Sequence, residues 1–245
     1  MNLLIGIHPV REALKAGRHL ERVLVARGAG GARIQEIVEL CRRSGVPLRF
    51  ESREVLERMT GKAVHQGVVA VGAAQAYRSL EEVAPAARLL VLLDGVEDPH
   101  NLGAIIRTAN GAGAGGVCIP ERRSAGLTEA AAKAAAGALE YTPVVRIGNV
   151  SQTLERLKKS GFWIYGLDER GTATYDQVEF LEPAVLVFGS EGRGLHQHVR
   201  ERCDFLVRIP LAGQIPSLNV SVAAGVILFE WKRRRQLDAQ PAAGK

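Results

Sequence analysis

The 245-residue chain has little cysteine: Cys41, Cys118 and Cys203 lie far apart and form no CxxC pair. That spacing argues against a disulfide framework and a structural zinc site, and it suits a reducing compartment. Aromatic residues make up only 5% of the chain, and Phe50 is the single one in residues 1–72. No apolar run approaches the ~18–20 residues of a membrane span. The opening Met-Asn-Leu-Leu-Ile-Gly-Ile-His-Pro has no basic leader before its short apolar stretch, so no secretion signal is read there. The six histidines (His8, His19, His65, His100, His196 and His198) include no HExxH pair. His196 and His198 are two apart and so fall on different faces of a helix, and no metal site is expected. GxxxxGK[ST] is missing too, which excludes P-loop phosphate chemistry. What is present, 47% hydrophobic and 24% charged residues, is the composition of a folded globular chain of one or two domains. The expectation is a soluble cytoplasmic protein with no membrane partner.

The net charge of +6 is unevenly spread. Residues 1–72 carry 12 Lys and Arg against 7 Asp and Glu, a net of +5, which leaves +1 for residues 73–245. A basic module of this kind fits a polyanion, because phosphate neutralisation dominates nucleic-acid affinity. A solvated basic face without a partner explains the charge equally well.

Apolar periodicity divides the chain into two α/β series. The first places strands at Leu3–Ile7, Arg22–Ala26, Val46–Phe50 and Gly67–Gly72, with helices after Pro9, at Arg33–Arg43 and at Arg53–Met59. Residues 73–87, polar and proline-containing, read as a linker. In the second series Leu89–Asp94 is a continuous apolar run, as expected of a strand covered on both faces of a parallel sheet. Helices follow at Asn101–Gly113, at Thr128–Leu139 with Thr128 as its cap, near Ser151–Lys159, and from about Ser217–Asn219 to Arg235. The strands are Gly116–Ile119, Pro143–Ile147, Phe162–Leu167, Ala184–Phe188 and Phe205–Ile209, and Asp238–Lys245 reads as a frayed tail. Gly111-Ala-Gly113-Ala-Gly115-Gly116 matches GxGxxG formally, but it leaves a helix and enters a strand. A dinucleotide fingerprint runs the other way, so the glycines read as a helix stop and a tight turn.

Three blocks carry the polar signal. The first is Asp98-Pro-His-Asn101-Leu-Gly103-Ala-Ile-Ile-Arg107-Thr-Ala-Asn110, the second Phe188-Gly189-Ser-Glu191-Gly-Arg-Gly194-Leu195. The third is Ile209-Pro-Leu211 followed by Pro216-Ser217-Leu218-Asn219-Val-Ser221-Val-Ala223. All three follow strands, where open parallel sheets bind ligands. Each alone has a structural explanation, as caps, turns or an ion pair.

Together the blocks resemble the three motifs of the SpoU/TrmH family of the SPOUT superfamily, over roughly residues 86–235. The amino-terminal unit resembles a ribosomal-protein-L30e-like substrate-binding domain, through Gly6-Ile7-His8-Pro9-Val10, Glu12-Ala13-Leu14 and His65-Gln66-Gly67. The combination is most similar to enzymes that methylate a guanosine 2′-hydroxyl in 23S rRNA.

The resemblance implies an α/β SPOUT-type parallel sheet closed by a deep trefoil knot, with a small L30e-like α/β domain before it. The implied division is 1–72 for RNA binding, 73–87 as linker and 88–245 for catalysis. It implies S-adenosyl-L-methionine as cofactor, held by Gly189, Ile209 and Leu218 with Leu167 nearby, and a homodimer whose active site is completed across the subunit boundary. Arg107 matches the arginine proposed in the family to take the ribose 2′-hydroxyl proton. A guanidinium is effectively always protonated, so stabilising the developing alkoxide and orienting a neighbouring phosphate both stay open for it. Asn101, Glu191, Ser217 and Asn219 match the remaining polar positions, the first two orienting Arg107 or the nucleotide. Ser217 and Asn219 are expected at the last helix start. A tRNA methyltransferase of the same family and a non-catalytic RNA-binding protein are the alternatives.

Overall fold

A computed structural model of the chain describes residues 2–61, 63–73 and 76–238. Its elements begin with β1 (Asn2–Ile5), α1 (Ile7–Lys15), β2 (Leu20–Ala26), α2 (Ala32–Ser44), β3 (Leu48–Glu51), α3 (Arg53–Thr60) and β4 (Val68–Gly72). These strands form a four-stranded sheet in the order β1-β4-β2-β3. The pairs of β4 with β1 and β2 are antiparallel, and β2 runs parallel to β3. Val10, Leu14, Ile34 and Ile37 pack α1 and α2 onto this sheet.

Residues 79–87 are more ordered than their composition suggests. A short helix, α4 (Leu80–Val83), starts behind Ser79, whose hydroxyl accepts from the Glu82 amide. Leu80, Val83 and Ala87 are buried against the second sheet. Three apolar side chains at helical spacing outweigh the polar residues between them.

The second sheet comprises β5 (Leu89–Asp94), β6 (Gly116–Pro120), β7 (Val144–Ile147), β8 (Trp163–Leu167), β9 (Ala173–Thr174), β10 (Ala184–Gly189) and β11 (Phe205–Arg208). All seven strands are parallel, in the order β7-β6-β5-β10-β8-β11-β9. The helices between them are α5 (Pro99–Ala112), α6 (Glu129–Ala135), α7 (Val150–Lys159) and α8 (Gln197–Arg200), and α9 (Val220–Asp238) closes the described chain. Leu89, Val91 and Leu93 of β5 face the layer of α5, α6 and α9, while Leu90 and Leu92 face α4, α7 and α8. Burial on both faces is why β5 reads as an unbroken apolar run.

Local chemistry sets the helix starts. Asp98 caps α5 by accepting from the His100 amide at 2.8 Å, with Pro99 in the first turn. Asn149 caps α7 and Thr128 caps α6 in the same way. Gly113 ends α5 in the left-handed region, as the glycine run suggested. The helix expected over Thr128–Leu139 stops at Ala135, because Ala136 turns left-handed (φ 50°) and a 3-10 turn follows at Ala138–Glu140. That turn carries Glu140 to Arg18 (2.7 Å) and Tyr141 to Glu12, to which its hydroxyl donates at 3.0 Å. Contacts with α1 and the turn after it thus override the helix propensity of the alanine run. The tail beyond Asp238 lies outside the described residues.

The tightest packing in this layer joins α5 to α6. A Cβ on Gly103 would lie 2.4 Å from the Ala131 carbonyl oxygen and 2.5 Å from the Ala134 Cβ. Gly103→Ala is therefore expected to destabilise the protein by about 1–3 kcal/mol, read as a lower urea midpoint at unchanged slope. An unshifted midpoint would show that α6 yields freely.

Candidate active site

The carboxyl ends of β8, β10 and β11 and the segment before α9 enclose a cavity of about 240 Å3. Leu167, Phe188, Gly189, Ile209 and Leu218 form its apolar wall, and Asp168, Glu169, Arg170, Glu191, Arg193 and Ser217 bring charge and polarity. All four positions expected to hold the cofactor line this cavity: Leu167, Gly189, Ile209 and Leu218. A larger cavity of about 640 Å3 lies between the two sheets, around Arg18, Glu140 and Tyr141, away from all three blocks. Chemistry rather than size singles out the smaller one as the candidate site.

Gly189 is where the backbone must come closest to itself. Ser190 and Gly194 exchange backbone hydrogen bonds of 3.1 and 3.0 Å, and a Cβ on Gly189 would lie 2.1 Å from the Gly194 carbonyl carbon. The second block is thus a tight hairpin that presents Glu191 at its tip.

Asn101 joins the three blocks. It is 8% exposed, in the first turn of α5. Its Nδ2 donates to Glu191 Oε1 of the second block, and its Oδ1 accepts from Asn219 Nδ2 of the third at 3.1 Å. Asn219 also caps α9, its Oδ1 accepting from the Ser221 amide (2.9 Å) and hydroxyl (2.6 Å). The expectation that Ser217 and Asn219 sit together at the helix start needs dividing. Asn219 is the cap, whereas Ser217 stays in the preceding loop and faces the cavity.

Arg107 stands apart. It is exposed on α5, does not line the cavity, and makes no hydrogen bond or ion pair among the described residues. Helical spacing puts it on one stripe with His100, Ala104 and Gly111. Gly111 lies against Phe229 of α9, and Val222 and Phe229 are 52% and 50% exposed. The helix α9 is apolar on more faces than its own chain covers.

Two carboxylates that sequence reasoning missed buttress the site. Asp168, 7% exposed, binds Arg200 Nε at 2.9 Å, and Arg200 also donates to the Leu195 carbonyl. Asp94, 4% exposed, accepts from the His196 amide at 2.9 Å and lies 3.0 Å from its Nδ1. Both pairs fasten the segment after the hairpin to neighbouring strand ends. The available signal was position, since each aspartate ends or directly follows an apolar strand. Burial pushes the Cys118 and Cys203 thiols up to about 12, so neither supplies a thiolate nucleophile. No group of three or more His, Cys, Asp or Glu is placed to hold a metal among the described residues.

Comparison with known proteins agrees with this geometry. Residues 88–229 match the SpoU rRNA methylase family, and residues 3–78 match the RNA 2′-O ribose methyltransferase substrate-binding family. The chain belongs to the SpoU methylase family. It is 41% identical over 239 residues to YacO of Bacillus subtilis (strain 168), assigned to the TrmH family of tRNA/rRNA methyltransferases, with 95% of each chain covered. Among solved structures, the SpoU methyltransferase AviRb from Streptomyces viridochromogenes in complex with AdoMet superposes with a TM-score of 0.78 at 28% identity. That match covers 96% of this chain and 90% of the other. The AdoMet-bound rRNA methyltransferase from Sinorhizobium meliloti gives a TM-score of 0.78 at 26% identity, covering 95% and 87%. The protein is an RNA methyltransferase of the SpoU/TrmH family, and its cofactor is S-adenosylmethionine. No helix among the described residues is long and apolar enough to cross a membrane.

A double-mutant cycle tests the junction at Asn101. Asn101→Ala and Asn219→Ala should be non-additive in urea denaturation, with a coupling of roughly 0.5–3 kcal/mol. Strict additivity would mean that the first and third blocks are held together elsewhere.

Proposed function

We propose that the protein methylates a ribose 2′-hydroxyl, that of a guanosine in 23S rRNA, as a cytoplasmic homodimer. The observation that carries this reading is the polar chain Asn219–Asn101–Glu191, which ties the first motif to the two that line the cavity. Ribosomal RNA is favoured over transfer RNA because the likeness to the Sinorhizobium meliloti rRNA methyltransferase runs through 95% of this chain, amino-terminal unit included. In this reading residues 1–72 bind RNA, 73–87 connect, and 88–245 catalyse. The amino-terminal unit takes the L30e-like role, and the chain from β10 to α9 forms the trefoil knot. Support for the knot is the insertion of β10 between β5 and β8, with the cavity walled by the loops on both sides of β11.

When bound, the cofactor supplies the methyl group from a sulfonium centre. Leu167, Ile209 and Leu218 offer an apolar slot for its flat base, and Gly189 offers close backbone. Glu169 and Glu191 suit its positive charge, and Arg170 suits its carboxylate. The role of the Arg107 guanidinium is to stabilise negative charge developing on the 2′-oxygen and to orient the neighbouring phosphate. Asn101 and Glu191 hold the hairpin in place for the nucleotide, and Ser217 and Asn219 border the substrate at the α9 start. Arg107 reaches the reaction from the partner subunit: it does not line its own cavity, and it stands one helical turn from Gly111, which lies against Phe229 of the exposed apolar stripe that a second copy would cover.

Incubation with S-adenosylmethionine and unmodified 23S rRNA, followed by mass-spectrometric mapping, should reveal one new 2′-O-methylguanosine. Methylation of transfer RNA in its place would favour the alternative. Arg107→Ala should lower turnover by about 100-fold or more and leave calorimetric cofactor affinity unchanged, whereas loss of that affinity would move Arg107 into the cofactor site. Phe229→Glu should yield monomers in sedimentation velocity and abolish turnover. An unchanged sedimentation coefficient would place the subunit interface elsewhere.

A further inference from the structure

Fourteen arginines lie between residues 88 and 238. Eight of them (Arg88, Arg146, Arg156, Arg200, Arg202, Arg233, Arg234 and Arg235) have a carboxylate, carbonyl or ring partner. Of the six with no partner among the described residues, Arg107 lies on α5. The other five, Arg122, Arg123, Arg170, Arg193 and Arg208, all sit at the carboxyl edge of the parallel sheet, and all are exposed. Arg122 and Arg123 follow β6, Arg193 follows β10, Arg170 follows β8 and Arg208 ends β11. Glu97, Glu121 and Glu169 share this edge, yet none forms an ion pair with these arginines. Seven arginines elsewhere in the unit meet a carboxylate, and these five do not.

Arg123 adds a second observation. It is one of three non-glycine residues with positive φ (55°) among the described residues. Strain of this kind persists only where the surroundings enforce it. Here the loop after β6 is tied at three points. The Ser124 hydroxyl donates to the Pro120 carbonyl, the Ala125 amide to the Val96 carbonyl at 2.8 Å, and the Leu127 amide to the Tyr77 hydroxyl at 3.0 Å. A rigid loop thus holds two free guanidinium groups outward at some conformational cost.

Arg170 and Arg193 line the cavity itself, so the row is continuous with the active site. From β6 to β11 it spans four inter-strand spacings, about 19 Å at ~4.8 Å each. A stacked nucleic-acid strand carries one charge per ~3.4 Å, so the row faces about five phosphates. No single small anion fits that length. Planar guanidinium forks match phosphate oxygens in pairs.

Resting on the RNA-methyltransferase reading above, we propose that Arg122 and Arg123 form a phosphate clamp in the catalytic unit itself. The clamp grips the RNA backbone next to the target nucleotide, two strands away from the hairpin of Glu191. It contributes affinity and register and takes no part in methyl transfer.

The test uses the full chain and transcribed 23S rRNA. The double variant Arg122→Gln, Arg123→Gln should bind the RNA roughly tenfold more weakly, with the log–log salt slope reduced by about 1.4 to 1.8. KM for RNA should rise while kcat and calorimetric S-adenosylmethionine affinity stay unchanged. Lysines at both positions should restore most of the salt slope. Lys159→Gln, on the opposite edge of the sheet, should change neither affinity nor slope. Normal RNA affinity and slope in the double variant would overturn the clamp, as would a fall in kcat at unchanged KM. Failure of the unsubstituted protein to methylate RNA would remove the functional reading, and the clamp with it.

Discussion

The site depends on one buried amide. Asn101 is the place where three segments far apart in sequence share hydrogen bonds, and neither an apolar residue nor a carboxylate would serve. It needs a donor for Glu191 and an acceptor for Asn219 within one planar group, which asparagine provides. The surrounding devices work toward the same end. Asp98 and Pro99 fix where α5 begins, and so where Asn101 points. Gly189 lets the hairpin fold tightly enough to bring Glu191 back over β5. Asn219 couples the junction to the start of α9. Leaving the buried Asn101 amide unpaired would cost more than its bonds contribute when made.

The same geometry explains why Arg107 carries no partner among the described residues. The cavity lies beyond the strand ends, whereas Arg107 sits two turns along α5, next to an apolar stripe that the monomer does not bury. A guanidinium kept free beside an uncovered apolar surface is poised for groups that arrive from outside. Asp168–Arg200 and Asp94–His196 show the contrary pattern: charged groups that the fold consumes in holding its own segments. Which arginines are spoken for and which are free is the distinction that matters for RNA.

Net charge conceals that distinction. Residues 73–245 sum to only +1, which by itself assigns polyanion binding to the amino-terminal unit. In three dimensions the second unit commits nine of its basic side chains to ion pairs and, among the described residues, leaves five arginines unpaired along one edge. The two units thus carry positive charge differently, a general basic surplus in the first and a short ordered row in the second.

Much of this was legible in the residues. The unbroken apolar run of β5, the reversed order of the glycine run and the cap Thr128 follow from short-range chemistry, and the family resemblance pointed to Leu167, Gly189, Ile209 and Leu218, which line the cavity. Short elements were lost: α4 hid in a polar stretch, and α6 ended early because Glu140 and Tyr141 are drawn to Arg18 and Glu12. Ser217 and Asn219 read alike, yet only one caps the helix. Asp94, Asp168 and His196 left no sequence signal beyond their position after strands. The sequence by itself determined the longer elements, which rest on local propensity, and the motif blocks that carry the family resemblance and, through it, imply the cofactor. Only the tertiary structure decided which side chains meet and which stay free, because pairing depends on strand order, and β10 reaches its place between β5 and β8 across nearly one hundred residues of chain.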